Sequence, residues 1–201
     1  MRTAIITFST QGKMIGLKLK DNIPDSVLFV HESVPNGRRT KRFKKVSELI
    51  GNIFNKVENI IYIGPMGIAV RSICAHVRNK LSDPAVVVVD AGGRFAISVL
   101  SGHEGGANAL AISVANILGA EPVISTTTEA IKTITVGIGC RKGTKAEVIV
   151  GAVKKALTLA GVTIDNVKWL ATAEIKRNEA GLKKASQMLN LPLRIIPNWL
   201  M

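Results

Sequence analysis

The residues best suited to carry out chemistry lie in the segment SGHEGGAN, residues 101–108. An imidazole that titrates near neutral pH can carry a proton in either direction, which makes His103 a candidate general base and acid. The glycines at 105 and 106 let a ligand approach the backbone, and the free N–H groups at the start of a helix stabilise anions. The segment therefore predicts proton transfer beside a bound anion. A His103 that only caps or packs the turn would give the same pattern.

A second Gly-rich junction is GPMG, residues 64–67, with Arg71 one helical turn later. Backbone N–H groups and a guanidinium at this spacing could hold a carboxylate between them. A tight turn alone would also explain the glycines. Asp90 follows an apolar run and is either a general base or a turn residue, and its spacing favours the turn.

A third junction, GIGCRKG at residues 137–143, resembles a dinucleotide-binding fingerprint and would indicate a nicotinamide-linked oxidoreductase. The acidic residue expected at the end of the following strand is missing from the predicted pattern, since Asp165 precedes the strand predicted near Val167. Arg141 and Lys142 would still suit an anion of another kind.

A run of basic residues is a candidate nucleic-acid patch, because phosphate contacts come mainly from Lys and Arg. Only Phe43 interrupts it, the chain is 4% aromatic, and no recognition motif accompanies it. The pattern favours a solvated basic loop over a nucleic-acid interface. The run consists of Arg38, Arg39, Lys41, Arg42, Lys44 and Lys45.

Composition narrows the classes of partner and environment that suit the chain. Lys and Arg outnumber Asp and Glu by 27 to 14, and the formal charge of +13 attracts anionic partners, whether nucleic acid, membrane surface or polycarboxylate. The two cysteines, Cys74 and Cys140, form no CxxC pair, so neither a disulfide framework nor a zinc site is indicated. No run is apolar enough for a signal peptide or a membrane span, which predicts a cytoplasmic protein without a membrane partner.

Strand and helix patterns alternate along the chain and predict an α/β protein with mostly parallel sheets. We expect two small three-layer domains, residues 1–131 and 132–201. Ligands of such folds bind at the carboxyl ends of strands, and each Gly-rich junction follows a strand, which predicts one shared cleft. Strands are predicted at 3–8, 27–30, 60–63, 85–90, 94–100, 123–125, 134–138, 167–171 and 193–196. Helices are predicted up to residue 19, over the apolar stripe 46–57, and at 68–77, 107–118 and 179–189. A further helix is predicted after a capping box at 144–147. A loop is predicted at 31–45 and a hairpin turn at 91–93.

Residues 64–111, GPMGIAVRSICAHVRNKLSDPAVVVVDAGGRFAISVLSGHEGGANALA, closely resemble the central part of the cobalt-precorrin 5A hydrolases. The resemblance continues through EPVISTT at 121–127. TVGIGCRKGTKAEVI at 135–149 looks like the opening of the same family's C-terminal domain, and TAEIKRNEAGL at 172–182 extends it. Nearly the whole chain is covered, most weakly over the first sixty residues.

The resemblance implies hydrolysis of cobalt-precorrin 5A, with opening of its δ-lactone and release of acetaldehyde, to give cobalt-precorrin 5B in anaerobic cobalamin biosynthesis. It implies an anionic cobalt corrinoid substrate that brings its own cobalt, no cofactor or metal site in the protein, and His103 as the catalytic residue. The implied substrate-binding residues are Gly64, Met66, Gly67, Arg71, Ser101, Gly102, Gly105, Gly106, Asn108, Thr126, Thr127, Gly139, Cys140, Arg141 and Gly143.

One departure concerns the C-terminal domain, since members of the family continue well past the equivalent of Pro197. We therefore expect a truncated second domain with an open sheet edge and exposed apolar surface. Such a surface calls for a homo-oligomer or a partner chain that completes the domain. It also leaves open a non-catalytic corrinoid-binding or scaffold protein of the same pathway.

Overall fold

The computed structural model describes residues 1–35, 37 and 39–200. The chain divides into two compact units, Met1–Ile124 and Ser125–Met201. The domain boundary predicted at residues 131/132 falls shortly after this division and stays a prediction.

The first unit is built on a seven-stranded sheet. Its strands are β1 (Thr3–Thr7), β2 (Ser26–His31), β3 (Thr40–Phe43), β4 (Asn59–Ile63), β5 (Ala85–Val89), β6 (Phe95–Leu100) and β7 (Glu121–Val123). They lie in the order β3-β2-β1-β4-β5-β6-β7. β1 to β5 are parallel to one another, whereas β6 runs antiparallel to β5 and parallel to β7.

Helices cover both faces of this sheet, which gives the unit three layers. They are α1 (Thr10–Asn22), α2 (Val46–Ile53), α3 (Met66–Ile73) and α4 (Ala107–Leu118). Leu19 of α1 and Val114 of α4 are buried in the core on one face, and Ile50 of α2 and Ile73 of α3 in the core on the other. β5 is buried at all five positions because both of its faces are covered, as is typical of parallel strands.

The loop predicted over residues 31–45 is wrong at Thr40–Phe43, which form the edge strand β3. This strand pairs in parallel with β2, and Phe43 is buried while Lys41 and Arg42 stay exposed. A short edge strand with basic side chains facing solvent resists further pairing, which explains why its sequence looks like a loop. The helix predicted at 68–77 also lies earlier, at Met66–Ile73.

The hairpin predicted between β5 and β6 is confirmed, and Asp90 belongs to its turn. The carboxylate accepts hydrogen bonds from the backbone N–H groups of Gly92 at 3.1 Å, Arg94 at 2.6 Å and Phe95 at 2.8 Å. Burial acts to raise the pKa of Asp90, but the hydrogen bonds from Phe95, Arg94 and Gly92 outweigh it and hold this pKa below its usual value. The turn interpretation of Asp90 is therefore confirmed.

Asp90→Asn is expected to lower the free energy of unfolding by about 1–3 kcal/mol at neutral pH, since it removes a hydrogen-bonded charge. Because the folded-state pKa is depressed, the ionised carboxylate stabilises the fold above its unfolded-state pKa. That stabilisation is lost as the pH falls through the folded-state pKa. The difference in free energy of unfolding between wild type and Asp90→Asn should therefore narrow in acid. Urea denaturation across a pH series would measure it. The exposed Asp25, changed to Asn, is the matched control in the same unit. An equal loss of stability in Asp90→Asn at every pH would contradict the stabilising role of the ionised carboxylate.

The second unit has a three-stranded parallel sheet. Its strands are β8 (Ile134–Gly137), β9 (Val167–Ala173) and β10 (Leu193–Ile196), and its helices are α5 (Thr127–Ala130), α6 (Ala146–Ala160) and α7 (Ala180–Leu189). The strand order is β10-β9-β8, so β8 lies at one edge of the described sheet. Both α6 and α7 contribute to a single core with the sheet.

The two units together confirm an α/β fold with mostly parallel sheets, although the three-layer arrangement is seen in the first unit, and in the second both long helices share one core. The capping box predicted at 144–147 is wrong. Lys145 is the N-cap residue of α6, and the Thr144 hydroxyl donates instead to the backbone oxygen of Arg141 at 2.8 Å.

Candidate functional site

The segment Ser101–Gly106, which we call the histidine loop, joins β6 to α4 and is fixed at both ends. Ser101 has a left-handed backbone with φ 58°, and its hydroxyl donates to the backbone oxygen of Asp83 at 3.1 Å. The N–H of Ala107 donates to the Ser101 oxygen at 3.1 Å, and that of Asn108 to the Gly102 oxygen at 2.9 Å. The tip of the loop, with His103, is exposed to solvent.

The two glycines of the histidine loop are required by its geometry. A Cβ atom at Gly105 would lie 2.3 Å from Ser101 Cβ and 2.9 Å from the Ser101 oxygen. Gly106 has φ 86°, a left-handed conformation that favours glycine, and stands at the N-cap of α4. In the described part of the chain no acceptor is recorded for the N–H groups of Gly105 and Gly106, so both can donate to a bound anion.

An ion pair lies beside His103. Lys80 Nζ contacts Glu104 Oε1 at 2.5 Å. The hydrogen bond from Lys80 is the main cause that holds the pKa of Glu104 below its ordinary value, and the charge of His103 contributes in the same direction. The loop tip therefore presents an imidazole, a carboxylate and an ammonium group together.

Asp83 is a positioning residue that sequence reasoning missed. Its buried carboxylate accepts the N–H groups of Arg78 at 2.8 Å and Asn79 at 3.0 Å, and so shapes the loop that carries Lys80. Its backbone oxygen holds Ser101. The sequence signal was weak, since an Asp before Pro between a helix and a strand indicates only a turn.

Asn108 was predicted to bind substrate, but its position is structural. The side chain is 8% exposed, and its Oδ1 accepts the hydroxyl of Ser98 at 2.8 Å, which ties α4 to β6. A buried carboxamide of this kind does not suit contact with a bulky ring.

The GPMG residues lie at the carboxyl edge of β4. Gly64 is buried and its N–H donates to the oxygen of Val89 at 2.9 Å, whereas Met66 and Gly67 are exposed in the first turn of α3. The side chain of the exposed Arg71 extends back toward the start of α3. Its Nη1 would lie 3.6 Å from a Cβ atom at Gly67. Arg71 and the start of α3 can therefore act together on one anion.

The single cleft predicted for the two motifs is wrong. β6 runs antiparallel to β5, with Val86 opposite Leu100 and Val89 opposite Ala96. The histidine loop therefore lies at the amino end of β5, while Gly64 lies beside Val89 at its carboxyl end. Successive strand residues are about 3.3 Å apart, so roughly 13 Å of β5 separates the two motifs. Each motif follows its own strand, but the hairpin reverses the direction of β6.

Four residues of the basic run form ion pairs or hydrogen bonds within the first unit. Arg39 pairs with Asp21 at 2.5 Å, and Lys45 with Glu48 at 3.2 Å. The guanidinium of Arg42 donates to the backbone oxygens of Val34 and Glu32, and Lys44 lies 4.0 Å from Glu32, while Arg38 is outside the described residues. The side chains of Arg39, Lys44 and Lys45 stay 55%, 79% and 73% exposed in these pairs, so this part of the run lies on the surface of the first unit.

The substrate-binding residues predicted in the second unit separate into different environments. Thr126 is the N-cap of the four-residue helix α5, and Thr127 is exposed. Gly139 and Cys140 line a cavity of about 380 Å³ between β8 and α6. The N–H of Gly143 donates to Glu179 Oε1 at 2.9 Å and is therefore occupied. The remaining residue, Arg141, is exposed, and its backbone oxygen accepts the Thr144 hydroxyl.

The dinucleotide alternative needs one correction. β9 extends to Ala173 and is followed directly by Glu174, so an acidic residue does stand at the strand end where it was thought to be missing. Its carboxylate contacts Arg177 at 2.9 Å and the N–H of Asn198 at 3.2 Å. α6 begins only at Ala146, beyond the glycines, so their N–H groups lie outside the first helical turn that a pyrophosphate would need.

The described residues contain neither a metal-ligand cluster nor a membrane-spanning helix. Across residues 1–35, 37 and 39–200, no three His, Cys, Asp or Glu side chains cluster in a way that could hold a metal ion. Over the same ranges, no helix has the length and apolar character needed to cross a bilayer.

By fold and site, this chain is an α/β protein of two units, with an exposed histidine in the loop that follows β6 of its larger sheet. Residues 48–129 match the family described as Cobalamin synthesis G N-terminal, and residues 134–199 match Cobalamin synthesis G C-terminus. The chain belongs to the cobalamin synthesis G family, and the resemblance seen in the sequence is confirmed.

Two curated relatives are named cobalt-precorrin-5A hydrolase. The protein of Salmonella typhimurium strain LT2 is 54% identical over 76 residues, which cover 38% of this chain and 22% of the relative. The protein of Priestia megaterium is 45% identical over 93 residues, which cover 46% of this chain and 25% of the relative. The matched segments thus span a quarter or less of the relatives' own lengths.

A crystal structure of a cobalamin biosynthesis protein G homologue from Sulfolobus solfataricus has a similar fold. It superposes with a TM-score of 0.50 at 18% identity, covering 96% of this chain and 79% of that chain. At this level of identity the likeness concerns the fold alone.

Proposed function

We propose that the chain acts in the cytoplasm as a cobalt-precorrin 5A hydrolase, which opens the δ-lactone and releases acetaldehyde to give cobalt-precorrin 5B. The names of two curated relatives support this reaction. The observation that carries it is an exposed His103 next to the N–H groups of Gly105 and Gly106, for which no acceptor is recorded in the described residues.

Lactone opening needs an activated water and a place for the negative charge that develops on the carbonyl oxygen. His103 can take a proton from the attacking water, and the N–H groups of Gly105 and Gly106 can donate to the oxyanion. Collapse of the tetrahedral intermediate breaks the ester C–O bond. The proton held by His103 then passes to the departing alkoxide, which becomes a hydroxyl group on the macrocycle. The second proton of the water stays on the new carboxylic acid and is lost to solvent, which leaves a carboxylate.

Loss of the two-carbon fragment is a retro-aldol-like step. A base removes the proton of the new hydroxyl group, the carbon–oxygen double bond of acetaldehyde forms, and the bond to the ring carbon breaks. The conjugated macrocycle accepts the electron pair and then a proton. His103 is neutral again after the first step, so the same imidazole can act as the base in the second.

Charge supports an anionic corrinoid as the substrate. The formal charge of +13 raises the local concentration of a polycarboxylate, and Lys80 lies beside the candidate catalytic loop. The cobalt ion belongs to the substrate in this proposal, and the protein adds no cofactor. Met66, Gly67 and Arg71 lie near the opposite end of β5 from the histidine loop. Contact of the same substrate with them therefore requires a ligand that reaches from one end of this strand to the other.

Incubation of the purified protein with cobalt-precorrin 5A is expected to release one acetaldehyde per ring. Coupling to alcohol dehydrogenase and NADH measures the acetaldehyde, and mass spectrometry of the ring checks for uptake of water and loss of the two-carbon fragment. Tight binding of the substrate with no acetaldehyde at any enzyme concentration would favour the corrinoid-binding or scaffold function instead.

A further inference from the structure

A second loop of the first unit carries a cation to the histidine loop. It comprises residues 78–83, between α3 and β5, and we call it the lysine loop because it contains Lys80. β5 and β6 are antiparallel, with Val86 opposite Leu100. The loop that enters β5 and the loop that leaves β6 therefore meet at the same end of the sheet, and a cation on one can act on a ligand held by the other.

Hydrogen bonds hold the backbone of the lysine loop in place. The side chain of Asn79 accepts the N–H of Leu81 at 2.9 Å, and the backbone oxygen of Asn79 accepts the N–H of Asp83 at 2.8 Å. The hydroxyl of Ser101 then joins this loop to the histidine loop through the backbone oxygen of Asp83. The backbone that carries Lys80 is therefore fixed relative to the histidine loop, and its side chain remains able to move.

The ammonium group of Lys80 contacts a carboxylate that another ligand could replace. Its Nζ lies 2.5 Å from Glu104 Oε1, and the side chains of Lys80 and Glu104 are 68% and 37% exposed. An ion pair with this much access to water contributes little to stability, because solvent screens the charges and two long side chains lose conformational freedom. A carboxylate from solution can therefore take the place of Glu104 on Lys80 with little loss of stability.

The proposed substrate would bring carboxylates to this place. A corrinoid seated against His103 and the N–H group of Gly105 holds its acidic side chains close to Lys80, since Glu104, the residue after His103, already reaches that ammonium group. Several contacts made by one ligand raise the effective concentration of each further group on it. A carboxylate of the bound ring can therefore compete with Glu104, whose own carboxylate stays in contact with water after displacement.

We propose that Lys80 binds a carboxylate of the substrate, and that Glu104 occupies this position until the substrate displaces it. Glu104 is then an internal competitor of the substrate. Lys80 selects corrinoids with free carboxylates over corrinoids whose side chains are neutral amides. This inference rests on the proposed corrinoid substrate and concerns its recognition, while proton transfer stays with His103.

The test measures binding and needs no turnover. The full chain is titrated by calorimetry with cobyrinic acid, a cobalt corrinoid that bears free carboxylates, and with cobinamide, in which these groups are neutral amides. Lys80→Met should weaken the binding of cobyrinic acid by about five- to tenfold and leave the binding of cobinamide unchanged. Glu104→Gln should tighten the binding of cobyrinic acid by about two- to fivefold, because it frees the ammonium group of Lys80.

The double variant separates displacement of Glu104 from simple charge repulsion. Glu104→Gln should give no gain in the Lys80→Met background, whereas removal of a repelling charge would help in both backgrounds. The matched control is the exposed ion pair of Lys45 with Glu48, at 3.2 Å in the same unit. Lys45→Met removes the same charge from the chain and Glu48→Gln removes the same carboxylate, and each should change binding by less than about twofold.

The proposal is overturned if cobyrinic acid does not bind, if Lys80→Met binds it no worse than Lys45→Met, or if Glu104→Gln weakens binding or gives the same gain in both backgrounds. Binding that depends on Lys80, with no acetaldehyde released from cobalt-precorrin 5A, would contradict the hydrolase activity and leave this inference standing. Acetaldehyde release by Lys80→Met with an unchanged KM would overturn this inference and leave the hydrolase activity standing.

Discussion

His103→Ala is expected to slow acetaldehyde release from cobalt-precorrin 5A by about 10²- to 10⁴-fold, the range typical for loss of a general acid–base group. The side chain stands at the exposed tip of the histidine loop, so its removal leaves no buried cavity. The loop ends are held by backbone contacts of Ser101 and Gly102 that the substitution does not touch. Substrate affinity should therefore change far less than turnover. Single-turnover kinetics with excess enzyme and a separate binding titration would measure both.

The control for this substitution is His76→Ala, another histidine of the same unit. His76 lies against the ring of Phe54 at 5.8 Å and is remote in sequence from the histidine loop. Its replacement should leave turnover near the wild-type value. Normal turnover by His103→Ala would remove the imidazole from the mechanism and leave membership of the family untouched.

Residues 101–106 also show how far sequence reasoning reaches. Strands such as β4 and β5 are unbroken apolar runs, and the helix after Gly106 has a clear apolar face that ends at Gly119, so local elements were predicted well. A hairpin was predicted between β5 and β6 from the glycines at its turn. That hairpin already implies that β6 runs in the opposite direction. The separation of the two motifs could therefore have been derived from the sequence.

Other features depend on contacts that no local pattern contains. The ion pair of Lys80 with Glu104 joins residues 24 positions apart. The burial of Asn108 depends on the partner offered by Ser98, and β3 becomes a strand only because β2 lies next to it. Sequence reasoning therefore identified candidate residue types, and their role as a site stays a prediction. Its geometry required the direction and order of the strands.

Gly105→Ala is expected to destabilise the first unit by about 1–3 kcal/mol, the usual cost of forcing an extra carbon into a closely packed place. The new Cβ would lie 2.3 Å from Ser101 Cβ and 2.9 Å from the Ser101 oxygen. The latter oxygen accepts the N–H of Ala107, so relief of the clash would disturb the first turn of α4 and displace His103. Hydrogen exchange at the amides of α4 should accelerate, and acetaldehyde release should fall together with stability.

Gly51→Ala separates this steric effect from the general effect of replacing a glycine. Gly51 lies in α2, where a Cβ atom would meet only the His76 ring at an ordinary 3.6 Å. Alanine is the better helix former, so this variant should gain about 0.5–1 kcal/mol. Both substitutions add one methyl group to the same unit. The clash with Ser101 sets the sign at Gly105, whereas helix propensity sets it at Gly51, where the methyl group has room. A Gly105→Ala protein as stable as wild type, with unchanged exchange in α4, would show that the histidine loop is not held as tightly as its contacts indicate.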